Sequence, residues 1–203
     1  MSIASRKQKE KEEMRSLILD AARKIFLEKG YDSTSMRNIA EEIDYSVGTI
    51  YLYFKEKDEI FHALHEEGFR RMLTMMQPLQ HVDDPFERLK AMGRIYMEFA
   101  KNNKDFYDLM FIINAAISHE KDPEKWEMGD KTLNYLKEVL ADCMKLGRFK
   151  GKNVEDLSFT IWSCMHGMCA LYIRERCLAY PDQDPLELMT KGYDNLISML
   201  EKL

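Results

Sequence analysis

The sequence predicts an all-α protein, on three observations. Apolar residues recur at three- and four-residue spacing along most of the chain, and no stretch keeps the alternation of a strand. Only five prolines and nine glycines punctuate 203 residues. Hydrophobic residues at 45% and charged residues at 32% are a globular composition, which excludes wholesale disorder. No apolar run approaches the roughly 20 residues that span a bilayer, so no membrane partner is expected. The charged start, MSIASRKQKEKEEMR, lacks the apolar core of a secretory signal, and a cytoplasmic protein is the expectation.

The elements follow in order. Helix 1 covers about Lys9 to Lys29, with Leu17, Ile18, Ala21, Ala22, Ile25 and Phe26 on one face and Gly30 as its stop. Ser35 caps helix 2, about Met36 to Ile43. Helix 3, about Val47 to Phe54, is short. Helix 4 starts near Lys57 and carries Ile60, Phe61, Leu64, Phe69, Met72 and Leu73 before Pro78. Asp-Asp-Pro opens helix 5, Pro85 to Lys101. Helix 6, Lys104 to Ser118, is apolar nearly all round and should be buried on most sides. Helix 7 starts after Asp122-Pro123 and ends near Gly147. Helix 8 runs from Val154 to Ala179, and helix 9 from Asp184-Pro185 to the C-terminus.

Helices 2 and 3 lie about three residues apart, a helix-turn-helix spacing. Ala40 is small where the two helices must approach, and Ile50 is apolar where the second packs back. Ile39, Ile43 and Phe54 supply the other apolar contacts. The turn position holds Asp44, where a left-handed backbone usually favours Gly; Asp tolerates that conformation better than most residues. The net charge of −5 counts against a nucleic-acid partner, but binding depends on the local field. Arg6, Lys7, Lys9, Lys11 and Arg15 at the start, with Arg37, Lys55 and Lys57 around the motif, could form a basic face.

The stretch from Ile18 to Phe61 resembles the N-terminal domain of TetR-family transcriptional regulators. The resemblance is carried by Ala21, Ala22 and Phe26, then Gly30-Tyr31, Thr34-Ser35 and Ile39-Ala40. It continues in S-x-G-T-x-Y-x-Y-F from Ser46 to Phe54, and in Lys57. Ile43, Asp44 and Tyr45 depart from the family pattern. The resemblance implies a DNA-binding domain over residues 1–56, with a charged N-terminal extension. It implies a helical effector-binding and dimerisation domain over 57–203.

Helix 3 would then lie in the major groove, where Ser46, Val47, Gly48 and Thr49 come close to base edges. Thr49 offers a hydroxyl to bases and a methyl to thymine. Tyr51 and Tyr53 point hydroxyls at phosphates, although Tyr53 could equally be a packing residue. Ser35 and Arg37 stand at the start of helix 2, and Arg37 can reach a phosphate or a guanine edge. Lys57 adds charge and backbone N–H groups beside the phosphates. Phe54 reads as core, and Asn38 as a surface residue. The implied partners are an operator duplex, a second copy of the chain and an unidentified small-molecule effector, most simply a repressor's inducer.

Helix 8 is apolar along two stripes. Leu157, Ile161, Cys164, Met168 and Leu171 form one; Phe159, Trp162, His166, Cys169 and Ile173 form the other. A helix apolar on both sides needs its own domain on one and a partner on the other. With the helix 9 stripe, this makes His166, Gly167, Ile173, Tyr193, Leu196 and Leu200 the candidate dimer interface. His166 reads as a packed interface residue, not a ligand. Fifteen methionines suit an adaptable apolar pocket, with Phe106, Met110, Asn114, Trp162, Met165 and Tyr172 as candidate lining. Asn114, on an apolar helix, should be a buried amide needing a partner.

Two rival readings remain. A thiol-based redox sensor could use Cys164, Cys169 or Cys177, of which only Cys177, after Arg174 and Arg176, has nearby positive charge. A helical metal site could use His62, His65 and Glu66. The sequence has one Glu-x-x-His (Glu59, His62) where a di-iron protein needs two. It shows no nucleophilic triad or Gly-rich phosphate loop, so neither an enzyme nor a cofactor is expected.

Overall fold

The computed structural model describes residues 3–115 and 126–203. Among these residues there are nine α-helices and no strand. They are α1 (Ile3–Lys29), α2 (Met36–Glu42), α3 (Val47–Tyr51), α4 (Lys57–Met76), α5 (Pro85–Asn102), α6 (Lys104–Phe111), α7 (Glu127–Lys145), α8 (Val154–Ile173) and α9 (Pro185–Leu200). Helix starts follow the capping residues in the sequence. Ser35, Ser46, Asp84, Asn153 and Asp184 each accept backbone N–H bonds from the first turn they precede.

Three helix ends share one device. The chain turns left-handed at Asp44 (φ 57°), Gly147 (φ 88°) and Glu175 (φ 54°) after α2, α7 and α8. At each, the next two N–H groups fold back onto the last turn: Asp44 to Glu41 and Tyr45 to Ala40, Gly147 to Met144 and Arg148 to Cys143, Glu175 to Tyr172 and Arg176 to Leu171. The expected left-handed Asp44 is therefore present. The turn at Glu175 ends α8 at Ile173, not at Ala179 as expected; Cys177–Ala179 forms a separate 3-10 turn. α6 ends at Phe111, before the expected Ser118, and both Ser118 and Asp122-Pro123 lie outside the described residues.

The chain forms two compact units: residues 1–69 with 105–127, and residues 70–104 with 128–203. The first turns of α4 belong to the first core. There Ile60, Phe61 and Leu64 of α4 are buried with Ile18, Ala22, Ile25 and Phe26 of α1. Phe61 packs edge-on against Phe26 (5.3 Å) and Tyr31 (5.2 Å). α6 contributes Phe106, Tyr107, Leu109 and Met110 to this unit. Its approach to α4 is close: a Cβ on Gly68 would lie 2.5 Å from the Met110 sulfur.

In the second unit α8 packs on α5 and α9. Leu157, Ile161, Met165, Cys169 and Ile173 form its buried face, at four-residue spacing. α9 buries Met189, Tyr193, Leu196 and Leu200.

Candidate nucleic-acid interface

The DNA-reading candidates are held by a small, tightly capped pair of helices. Ile39, Ala40 and Ile50 are fully buried, and Phe54 nearly so, which seats α3 on α2 as the spacing predicts. Phe54 is core, with the Arg15 guanidinium 5.0 Å from its ring centre. Lys24 of α1 pairs with Glu42 of α2 at 2.5 Å, holding the far end of α2.

The start of α2 is locked by a capping box. The Ser35 hydroxyl accepts from the Asn38 N–H (3.2 Å), and the Ser35 N–H donates to Asn38 Oδ1 (3.1 Å). Asn38 is thus a structural residue and not merely a surface one; the S-x-x-N spacing was the signal for it. The Ser35 side chain is used by this cap. Arg37 is exposed and lies 3.6 Å from Glu41 one turn on, an exposed pair that costs little to break.

At α3 the Ser46 hydroxyl accepts from the Thr49 N–H at 3.1 Å and lies 3.0 Å from the Thr49 hydroxyl. Ser46 and Gly48 are exposed, and Val47 and Thr49 half-buried, so the first turn of α3 offers small side chains at the surface. Tyr51 is 53% exposed, while Tyr53 is half-buried. Tyr45, one of the departures from the family pattern, is 46% exposed directly before the α3 cap. An aromatic residue beside an N-cap serine was the available signal.

Lys57 is bonded within the domain. Its ammonium donates to the carbonyls of Tyr31 (2.8 Å) and Thr34 (3.0 Å) and lies 4.2 Å from the Tyr31 ring centre. The Tyr31 hydroxyl donates to Asp58. Burial first, and then the Asp58 carboxylate, push that hydroxyl well above the ordinary tyrosine range, so it remains the donor.

Residues 18–64 match the family described as bacterial regulatory proteins, tetR family. Residues 89–196, more than half of the chain, match the tetracyclin repressor-like C-terminal domain. The chain belongs to the TetR family. It is a DNA-binding transcriptional regulator. It is similar to the uncharacterized HTH-type transcriptional regulator YhgD of Bacillus subtilis, 28% identical over 149 residues, covering 72% of this chain and 78% of that one. It also resembles the HTH-type transcriptional repressor Rv1474c of Mycobacterium tuberculosis, 33% identical over 101 residues, 45% of this chain and 54% of that one. Among solved structures, the transcriptional regulator FadR from Bacillus subtilis in complex with stearoyl-CoA shares the fold. Its TM-score is 0.73, at 21% identity, covering 90% of this chain and 97% of that one.

The remaining candidates of this TetR-family regulator fall in different places. Phe106 and Met110 are buried in the first unit, Met165 in the second, where Trp162 and Tyr172 are half-buried. Asn114, expected as a buried amide, is exposed beyond the end of α6, so its polar group is met by water. Ile173, Tyr193, Leu196 and Leu200 are buried inside the chain, because α5, α8 and α9 consume that stripe. They are therefore not on the surface as an interface would require. His166 and Gly167 are half-buried, and the His166 Nδ1 lies 3.3 Å from the Tyr96 hydroxyl. Apolar side chains exposed on α8 and α9 are Phe159, Leu171, Leu186 and Met199.

All four cysteines are free thiols. Burial pushes the Cys143 and Cys169 thiols up to about 11 and about 12, opposite to the activation a redox sensor needs. Cys164 is exposed and Cys177 half-buried. His65 and Glu66 are buried, and among the described residues no group of three His, Cys, Asp or Glu is placed to hold a metal. Among the same residues no helix is long and apolar enough to cross a membrane.

Proposed function

We propose that this regulator is a cytoplasmic homodimeric repressor, released from a palindromic operator by a long-chain acyl-CoA. The observation that carries the DNA-reading part is the capped, small-residue first turn of α3, in a helix packed on α2 with Ala40 and Ile50 fully buried. Residues 1–56 read DNA in this proposal, and residues 57–203 take the effector and dimerise. Exposed Phe159, Leu171 and Met199 on α8 and α9 support a partner-covered face. Two-fold symmetry sets half-sites about 34–36 Å apart, or a multiple of that.

The stearoyl-CoA bound by the FadR neighbour supports the effector class. Many apolar and methionine side chains in the C-terminal region suit an acyl chain. A typical coupling of about 1–3 kcal/mol weakens operator binding about 5–150-fold.

The test begins with in vitro selection of a binding duplex from random DNA. Stearoyl-CoA, free CoA and stearate are then titrated against the complex. Release by stearoyl-CoA alone is the expected outcome; retention with all three overturns the effector class. In the same assay Thr49→Ala should broaden the selected base at one position of each half-site. The loss expected there is about 1–3 kcal/mol of discrimination, and an unchanged selected sequence would remove Thr49 from the reading surface.

A further inference from the structure

We propose that Lys55, and not Lys57, supplies the phosphate contact at the α3–α4 corner, while Lys57 is a positioning residue that ties the 31–34 turn to the first turn of α4. The proposal rests on α3 being the DNA-reading helix. An ammonium has three donor directions. Two of those on Lys57 end on the Tyr31 and Thr34 carbonyls, and the Tyr31 ring closes another side of the group. A phosphate would have to strip these contacts to reach it.

The surroundings agree. The first turn of α4 already carries Asp58 and Glu59, so its positive end is met by carboxylates and gains little from an anion. Glu59 accepts the Lys55 backbone N–H at 2.7 Å, and Asp58 accepts the Tyr31 hydroxyl. The turn that Lys57 holds is itself cross-linked: the Thr34 N–H donates to the Tyr31 carbonyl (3.2 Å) and the Thr34 hydroxyl to the Gly30 carbonyl (2.7 Å). Ser35, the α2 cap, follows directly. Lys57 thus fixes where α2 begins, and through α2 where α3 lies.

Lys55 differs on each point. Its side chain is exposed, and it follows Tyr53 and Phe54 just past the end of α3. Its backbone is anchored by Glu59, which gives the flexible side chain a fixed root.

Salt dependence separates the two roles, because each neutralised phosphate contributes about 0.9 to the slope of log K against log salt. Binding of the full chain to the selected duplex is measured from low to high salt for wild type, Lys55→Met, Lys57→Met and Lys57→Arg. Lys55→Met should lower the slope by about 0.9 for each protomer bound. Lys57→Met should keep the wild-type slope yet lose roughly tenfold in affinity, about one charge-assisted hydrogen bond. It should also speed amide exchange at Thr34 and Asn38.

Lys57→Arg is the folded control, since it keeps the charge but its planar fork cannot reproduce these three contacts. It should also lose affinity at constant slope. A lower slope in Lys57→Met, or an unchanged slope in Lys55→Met, overturns the proposal. Full affinity in Lys57→Arg overturns the positioning role. Loss of salt dependence in wild type would instead strike at the DNA-reading assignment of α3.

Discussion

Acidification from pH 7.5 to 4 should cost the fold about 3 kcal/mol through His65 alone. His65 is 1% exposed on α4, with the Trp126 ring at 4.8 Å and the Phe69 ring at 5.0 Å, both near edge-on. Burial, and secondarily the nearby His62, lower its pKa from 6.5 to about 4. The unfolded chain therefore binds a proton that the folded chain refuses across that window. The contribution is complete above pH 6.5 and is lost as the pH falls toward 4. Urea unfolding at half-unit steps reads it directly. A His65→Leu variant, similar in bulk and without a titrating ring, should show a flatter dependence between pH 4 and 6.5. Parallel curves for the two proteins would assign the acid sensitivity elsewhere.

The second large effect is expected where α9 meets α5. Tyr193 is 2% exposed, and its hydroxyl donates to the Lys90 carbonyl at 2.5 Å. Burial raises its pKa to about 12, which keeps the hydroxyl a donor at any working pH. The ring lies over Gly93, where an added Cβ would sit 2.6 Å from Tyr193 Cε2. Tyr193→Ala should cost about 3–5 kcal/mol, as for other buried aromatics. Gly93→Ala should cost about 1–3 kcal/mol, because the hydroxyl bond prevents the ring from moving aside. In the Tyr193→Ala background the same Gly93→Ala change should turn stabilising, by up to about 1 kcal/mol of helix propensity. A double-mutant cycle measures this reversal. Equal effects in both backgrounds would show that the contact is not what limits residue 93.

The sequence was legible where local chemistry decides the structure. Ser35, Ile50, Ala40 and Asp44 each occupy a position with one steric or hydrogen-bonding demand, and each does what its type implies. It was less legible where two elements compete for one side chain. Lys57 has a charge suited to phosphate, but carbonyls 23 and 26 residues earlier claim it. The α9 stripe of Tyr193, Leu196 and Leu200 has the period of an interface, and the same period serves an internal contact equally well. Asn114 followed an apolar run whose helix stops at Phe111, so periodicity carried the helix too far.

The join between Tyr31 and the start of α4 also limits how this regulator can exchange parts with its relatives. A recombination point after residue 56 would separate Lys57, Asp58 and Phe61 from the tyrosine they grip and pack against. A transplanted reading head would then arrive without its own anchor and inherit a stranger's. Hybrids that carry the donor's residues through Phe61 keep that set intact, so inherited modules are best bounded inside α4 and not ahead of it.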